Sequence, residues 1–247
     1  MIQHEEPVIA NSLWSATATP SEPCPELQAD VSADVAIVGA GFTGLSAALH
    51  LAQMGRSVVV LEAQTPGWGA SGRNGGQVNP GLIAAPNDAI ARFGPEMGRR
   101  MIRLSGKAAQ LVFDLIAQHK IQCDARPVGW LRAAHNRGGM TSLVQKAEQW
   151  AQHGAELTLL SQTEVAQVIG TNAYIGGLID PRGGNLHPLN YALGLCEAAR
   201  AAGVRIFGDS RVEKLQRRGQ EHLLVTKRGQ LRAGRGLLCT NGYRGPL

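Results

Sequence analysis

The sequence predicts an α/β protein with a parallel or mixed sheet and helices on both faces of that sheet. Two short apolar runs, Val35–Val38 and Val58–Leu61, have the composition of strands that are buried on both faces. Between them, apolar residues recur from Leu45 to Ala52 at the spacing of one helix face, and Gly55 suits a helix end. These three observations together describe one βαβ unit.

The bulk properties are those of a globular protein of one or two domains. The chain has 247 residues, of which 44% are hydrophobic and 17% charged, and its net charge is +5. Its basic residues are scattered with few aromatic residues among them, which argues against nucleic-acid binding. The first residues are acidic where a signal peptide is basic, and no apolar run is long enough for a membrane span.

The cysteines and histidines predict no metal site. The four cysteines lie far apart with no CxxC pair, and no two histidines have the spacing of metal ligands. We therefore expect thiols in a reducing compartment and a cytoplasmic protein.

The rest of the chain predicts two interleaved parts. Further helices are expected near 95–119, 141–153 and 162–169 and from Pro188 to about Ala202, and strands at 128–134, 204–208, 211–216, 222–228 and 236–240. Residues 1–32 lack clear periodicity and are predicted to form an N-terminal arm. The expected domains are a nucleotide-binding part at 33–81 and 186–247, and an inserted α+β region at 82–185 that faces the ligand.

The turn after the first strand carries the first chemical motif, a GxGxxG sequence. It is formed by Gly39, Ala40, Gly41, Phe42, Thr43 and Gly44. Gly39 permits a tight turn, Gly41 lets a pyrophosphate approach the backbone, and Gly44 lets helix and strand pack closely. The N-terminus of the helix adds N–H donors and a partial positive charge for an anion. The motif therefore predicts an adenine dinucleotide site in a Rossmann-like domain.

Glu62 completes that motif. It ends the second strand, 23 residues after Gly39, where an acid accepts a hydrogen bond from a ribose hydroxyl. A carboxylate there also disfavours a 2′-phosphate, which argues against NADP. FAD and NAD both remain possible at this point.

A glycine-rich stretch, GWGASGRNGGQVNPG at 67–81, follows Glu62 where a simple NAD-linked dehydrogenase has another helix and strand. Gly72, Gly75 and Gly76 would let the main chain approach a ligand closely. Ser71, Arg73 and Asn74 offer polar donors beside it. A solvent loop would explain the glycines without the polar residues, so the stretch favours a track along a flavin.

The motifs resemble a known family. GAGFTGLSAALHL, VVVLEA and GWGASGRNGGQV are similar to FAD-dependent oxidoreductases of the D-amino-acid oxidase (DAO) type, and most similar to the γ-glutamylputrescine oxidase group. SLWSATA, IDPRGGNLHPLNYALGLCEAARAAGV and LLCTNGY extend the resemblance along almost the whole chain.

The resemblance implies a cofactor, FAD, and a set of residues around it. The glycines of the GxGxxG motif would face the pyrophosphate, and Glu62, followed by Ala63, the adenosine ribose. Ser71, Gly72, Arg73, Asn74, Gly75 and Gly76 would run beside the ribityl chain and the isoalloxazine. Val212 would contact adenine through its main chain, and Thr240 and Asn241 would close over the ADP half.

The resemblance also implies a reaction in putrescine or amino-acid catabolism. A small-molecule amine or amino acid would be oxidised to an imine by hydride transfer to the flavin, with O₂ or another acceptor taking the electrons. No catalytic residue is assigned: His187, before the last long helix, is expected to have a turn or capping role rather than to carry a proton.

Members of this family continue beyond the TNGY sequence, whereas this chain ends four residues after Tyr243. We therefore expect the C-terminal portion of the family fold to be missing. The alternatives to an active oxidoreductase are a catalytically incomplete dinucleotide-binding fragment and an NAD-linked dehydrogenase.

Overall fold

The computed structural model describes residues 9–243, which form two compact units. The first unit comprises the chain up to Gly75, His119–Cys123, and the chain from His187 onward. The second comprises Gly76–Gln118 and Asp124–Leu186. The region predicted as an insertion, 82–185, falls in the second unit apart from 119–123.

The helices and strands alternate through most of the chain. The helices are α1 (Leu13–Ala16), α2 (Phe42–Gln53), α3 (Pro86–His119), α4 (Arg137–Ala151), α5 (Gln162–Ile169) and α6 (Pro188–Ala201). The strands are β1 (Val31–Val38), β2 (Val58–Leu61), β3 (Gln77–Val78), β4 (Trp130–Ala134), β5 (Thr158–Ser161), β6 (Gly176–Asp180), β7 (Gly184–Asn185), β8 (Arg205–Phe207), β9 (Lys214–Arg218), β10 (Glu221–Val225) and β11 (Gln230–Leu238).

The first unit is built on a six-stranded mixed sheet with the order β8-β2-β1-β11-β10-β9. β1 lies parallel to β2 and β11, and β2 lies parallel to β8. β10 runs antiparallel to both β11 and β9. The α/β fold with a parallel core is therefore confirmed, and four parallel strands, β8, β2, β1 and β11, end at one edge of the sheet.

The βαβ unit forms because its apolar residues are buried as their spacing predicts. All four residues of β2 are buried, as are the last four of β1. α2 buries Leu45, Ala48 and Leu49, which lie on one helix face. Gly44 lies on that face too, where a Cβ would overlap the carbonyl oxygen of Gly39.

Within the described residues 9–32, the segment predicted as an N-terminal arm contributes one buried residue, Leu27, to the core of the first unit. Leu27 is buried in a cluster with Val212, Leu224 and Leu231. Its backbone N–H donates to the hydroxyl of Ser210 at 2.9 Å. Leu27 therefore joins the segment before β1 to the core.

The second unit contains a three-stranded antiparallel sheet, β4-β6-β5, and the two-stranded β3–β7 ladder. β5 and β6 were not predicted, because the sequence around β6 reads as a turn-dense segment. Gly176 and Gly177 nevertheless lie within β6: a Cβ at Gly176 would come 2.9 Å from the carbonyl oxygen of Leu160, and one at Gly177 2.9 Å from Val165. These glycines allow close packing within a strand rather than a turn.

Two predicted starts differ most from the structure, those of β11 and α3. β11 begins at Gln230 rather than near 236, because its first half, which pairs with β10, alternates buried Leu231 and Ala233 with other residues and so shows no apolar run. α3 begins at Pro86 rather than near 95, and it contains a kink at Gly94, where φ is 79° and Pro95 follows.

Among residues 9–243, no helix is long and apolar enough for a bilayer span.

Candidate functional site

A cavity of about 370 Å³ opens in the first unit at the carboxyl ends of three parallel strands. Val38, Leu61 and Leu238, the last residues of β1, β2 and β11, all line it. Ligands of open α/β sheets bind at such an edge, because the loops that leave neighbouring strands converge there.

Many of the residues predicted to hold the cofactor line this cavity. They are Gly39, Gly41, Phe42, Thr43, Glu62, Ala63, Ser71, Val212, Thr240 and Asn241. The predicted residues outside the lining are Ala40, Gly44, Gly72, Arg73, Asn74, Gly75 and Gly76. The fold thus gathers residues from five separate parts of the sequence around one space.

Glycine is required at the turn after β1 by the close approach of β11. Gly39 has a φ of 103°, and a Cβ there would lie 2.8 Å from the carbonyl oxygen of Cys239. The backbone N–H of Gly39 donates to the Leu61 carbonyl at 2.8 Å, which ties the turn to the end of β2. The turn is therefore held by both neighbouring strands.

The N-terminus of α2 meets the glycine-rich segment at Ser71. The backbone N–H of Phe42 donates to the Ser71 hydroxyl at 3.0 Å, and a Cβ on Gly41 would lie 2.8 Å from that oxygen. The first turn of α2 carries no acidic residue, and its N-cap, Gly41, makes no side-chain hydrogen bond. The positive end of the helix dipole therefore faces the cavity without a side-chain counter-charge in its first turn.

Glu62 is held by backbone donors on both carboxylate oxygens. Oε2 accepts from the N–H of Ala40 at 2.7 Å, and Oε1 accepts from the N–H of Gln64 at 3.0 Å. Burial raises the pKa of Glu62, while these hydrogen bonds and the positive charge of Arg211 oppose the rise. An ionised carboxylate has about four acceptor positions, so Glu62 keeps acceptor capacity for ligand hydroxyls.

The glycine-rich segment leaves the cavity after Ser71. Gly72 is buried, and a Cβ there would overlap the carbonyl oxygen of Gly67, so glycine is required for packing within the protein. Arg73, Asn74 and Gly75 are exposed, and a Cβ on Gly75 would meet nothing within 4 Å.

The polar side chains of this segment make local contacts. The guanidinium of Arg73 lies 4.3 Å from the centre of the Trp68 ring, and its Nε donates to the Trp68 carbonyl at 2.6 Å. The amide of Asn74 donates to the carbonyls of Ala70 and Ser71. Gly76 begins the second unit, where its carbonyl accepts from the N–H of Leu186 at 2.8 Å.

Several residues that line the cavity were not predicted as site residues. Trp68 and Tyr243 make an edge-to-face contact with ring centres 5.7 Å apart, and Arg211 and Cys239 flank the predicted Val212 and Thr240. Trp68 lies inside the glycine-rich stretch, and Tyr243 follows Asn241 closely. Their position next to predicted site residues could have indicated that they line the cavity.

His187 caps α6, as predicted. Its Nδ1 accepts from the backbone N–H of Asn190 at 3.1 Å, and its Nε2 lies 3.1 Å from the hydroxyl of Thr17. No group of three or more histidine, cysteine or acidic residues that could hold a metal ion occurs in the part of the chain that the structure describes.

The cavity combines a glycine turn after β1, a helix N-terminus and an acid at the end of β2. This combination defines a dinucleotide-binding domain of the Rossmann type. The profile of the family "DAO: FAD dependent oxidoreductase" matches residues 34–247, and the chain belongs to this family, which is FAD-dependent.

Individual relatives agree with the family assignment. The chain is 35% identical over 237 residues to gamma-glutamylputrescine oxidoreductase of Escherichia coli strain K12, an alignment that covers 95% of this chain and 55% of that protein. The fold is similar to glycine oxidase from Geobacillus kaustophilus (TM-score 0.70, 21% identity, 84% of this chain and 55% of that chain). It is also similar to L-proline dehydrogenase from P. horikoshii (TM-score 0.72, 16% identity, 89% and 54%). The chain spans about half the length of these proteins.

Proposed function

We propose that the cavity binds the ADP half of FAD, and that the chain is part of an enzyme that oxidises a C–N bond of an amine or amino acid. The observation that carries the proposal is the convergence of Gly41, Glu62 and Ser71 on one cavity at the carboxyl edge of the parallel strands. The residues fit the cofactor. The glycine turn at Gly39 and Gly41 leaves the backbone accessible to a pyrophosphate, and the carboxylate of Glu62 can accept hydrogen bonds from ribose hydroxyls.

Each part of the cavity has a proposed role. The N-terminus of α2 and the main chain at Gly39 and Gly41 would hold the pyrophosphate. Glu62 would accept hydrogen bonds from the ribose, beside Ala63. The main chain of Val212 would contact adenine, and Thr240 and Asn241 would close over the ADP half.

The far half of the cofactor would lie outside the cavity. The exposed stretch Arg73–Gly75 continues from Ser71, so it would run beside the ribityl chain and the isoalloxazine, with Gly72 and Gly76 as its fixed ends. Bound FAD would supply the hydride acceptor, and the protein would supply binding and orientation of the donor carbon.

The proposed substrate is a small amine or amino acid, and a γ-glutamylated diamine is the first compound to test because of the relative from Escherichia coli. The structurally similar proteins include one named an oxidase and one named a dehydrogenase, so both O₂ and another acceptor need testing. The cytoplasmic location stays a prediction.

FAD binding by the purified full chain tests the proposal. We expect the flavin absorbance to stay with the protein on gel filtration, and Gly41→Ala to weaken binding at least tenfold. Gly138→Ala is the matched control: it lies on α4 outside the cavity lining, and a Cβ there would make only an ordinary contact, 3.6 Å from Oδ1 of Asn136, so its affinity should equal that of the wild type. Equal affinity for FAD in all three proteins would contradict the proposed site.

Anaerobic titration with γ-glutamylputrescine, glycine and L-proline then tests the reaction. Loss of the oxidised-flavin absorbance on amine addition would support C–N oxidation, and peroxide release in air would identify O₂ as acceptor. Tight FAD binding without reduction by any amine would favour the alternative of a catalytically incomplete dinucleotide-binding fragment. Binding of NAD in preference to FAD would favour the NAD-linked alternative.

A further inference from the structure

Two cysteine side chains meet in the first unit although they are 172 positions apart in the sequence. Sγ of Cys24 lies 3.9 Å from Sγ of Cys196, within hydrogen-bonding distance for sulfur. Cys24 is half-buried in the segment before β1, and Cys196 is buried on α6. All four cysteines are free thiols in the structure.

The surroundings favour a thiolate on Cys24. Arg200, one helical turn after Cys196, donates to the carbonyls of Glu22 at 3.0 Å and Pro23 at 2.8 Å, which holds its positive charge beside Cys24. The hydrogen bond from the Cys196 thiol lowers the pKa of Cys24, and Arg200 lowers it further against the effect of burial. The same hydrogen bond and burial raise the pKa of Cys196.

The backbone on the Cys24 side is fixed close to the rest of the first unit. The N–H of Gly208 donates to the carbonyl of Pro25 at 3.1 Å. Gly208 has no side chain, and a Cβ there would lie 3.3 Å from the Cβ of Cys24. Bond formation requires the two sulfurs to move from 3.9 Å apart to about 2.05 Å.

We propose that Cys24 and Cys196 form a peroxide-sensitive thiol pair that is converted reversibly into a disulfide joining the N-terminal segment to α6. The roles of the two cysteines differ, since the more exposed Cys24 would react first and the buried Cys196 would resolve the product.

The chemistry balances with hydrogen peroxide as the oxidant. The Cys24 thiolate attacks one peroxide oxygen and the O–O bond breaks. This step leaves a sulfenic acid and a hydroxide, which takes up the proton released by Cys24 and becomes water. Sγ of Cys196 then attacks the sulfenic sulfur: the S–S bond forms, the S–O bond breaks, and the departing hydroxide leaves as water with the Cys196 proton. Two thiols and one peroxide thus give one disulfide and two waters.

The sequence makes the disulfide easy to map. Cleavage after lysine and arginine, except before proline, places the four cysteines on separate peptides: residues 1–56, 121–132, 183–200 and 236–244. The reduced full chain is treated with hydrogen peroxide, remaining thiols are blocked with N-ethylmaleimide, and the digest is analysed by mass spectrometry. We expect peptides 1–56 and 183–200 linked, two hydrogens lighter than their sum, and separated again by dithiothreitol.

Variants show which thiols are required. Cys24→Ser and Cys196→Ser should abolish the linked peptide, whereas Cys123→Ser should leave it unchanged. The disulfide encloses a long stretch of chain, so we also expect the melting temperature of the oxidised protein to rise by about 5–10 °C, and Cys24→Ser to show no such rise.

Three results would overturn the proposal. They are full N-ethylmaleimide labelling of peptides 1–56 and 183–200 after peroxide treatment, linkage of Cys24 to a different cysteine, and a disulfide found only between two chains on a non-reducing gel. The added peroxide makes the test independent of the proposed oxidoreductase function, since the chain needs neither FAD nor an amine to form this bond.

Discussion

The hydroxyl of Ser71 accepts a hydrogen bond from the backbone N–H of Phe42 at 3.0 Å and so joins the glycine-rich segment to the N-terminus of α2. The contact lies at the lining of the cavity, and it is possible only because Gly41 has no side chain. Two motifs that are about 30 positions apart in the sequence therefore depend on each other directly.

This contact predicts coupled effects of two substitutions on stability. Ser71→Ala removes the hydrogen bond and should lower the free energy of unfolding by about 1 kcal/mol. Gly41→Ala should lower it by about 1–3 kcal/mol through overlap with the Ser71 hydroxyl, since the φ of −87° at Gly41 suits any residue. In the double variant the overlap is gone, so the loss should be smaller than the sum of the two.

Urea unfolding of the four proteins measures this coupling. Gly75→Ala serves as the control for an added methyl group in open space. Strict additivity of the two losses would show that the overlap at Gly41 does not involve Ser71.

The buried carboxyl of Glu62 predicts an unusual pH dependence of stability. Burial raises its pKa above the ordinary 4.5, so folding favours the protonated form and ionisation at neutral pH destabilises the folded chain. Lowering the pH from 7.5 towards 4.5 should therefore stabilise the wild type relative to Glu62→Gln, which does not titrate.

Glu164 is a comparison residue whose pKa shifts in the opposite direction to that of Glu62. Hydrogen bonds from Ser161, which lies at the start of α5, hold its pKa below the ordinary 4.5. The wild type should therefore lose stability relative to Glu164→Gln only as the pH falls below about 4.5. Urea unfolding of the three proteins between pH 2.5 and 7.5 separates the two trends, and parallel curves for all of them would contradict both pKa directions.

The core position of Leu27 predicts that the segment before β1 stabilises the fold. Leu27 is 1% exposed, so Leu27→Ala should lower the free energy of unfolding by about 2–5 kcal/mol. Leu13, which is 66% exposed, is the matched control, and Leu13→Ala should change stability by about 0.5 kcal/mol or less. Equal stability of both variants by urea unfolding would mean that the segment is not part of the folded core.

The contacts of Trp14 predict that α1 helps to order the glycine-rich segment. Its Nε1–H donates to the carbonyl of Asn74 at 2.9 Å, and its ring lies 4.9 Å from that of His187, centre to centre. Trp14→Phe keeps a ring and removes the donor, so stability should fall by only about 0.5–1 kcal/mol.

Hydrogen exchange followed by mass spectrometry is the decisive measurement for Trp14. Amides of the segment 71–76 should exchange faster in Trp14→Phe, and faster again in Trp14→Ala, which also loses the ring contact. Exchange in that segment that is unchanged in Trp14→Ala would show that α1 does not order it.

The elements of the nucleotide-binding sheet could be predicted because their signals are local. The buried strand Val58–Leu61 and the buried face of α2 follow from apolar spacing alone. β6 could not be predicted in the same way, because Gly176 and Gly177 are explained by neighbours on other strands and helices rather than by their own sequence context. The first half of β11 was missed for a similar reason: its apolar residues alternate with others, and its pairing with β10 is a contact with another strand.

The sequence by itself determined the βαβ unit, the glycine turn, the acid at the end of β2 and the family resemblance, because each depends on residues close together in the chain. Only the tertiary structure decided which residues share the cavity, that Gly72 is required by internal packing, and that Cys24 lies against Cys196. These facts depend on contacts between segments far apart in sequence. Such contacts depend on how whole helices and strands pack, so a local pattern of residues does not predict them.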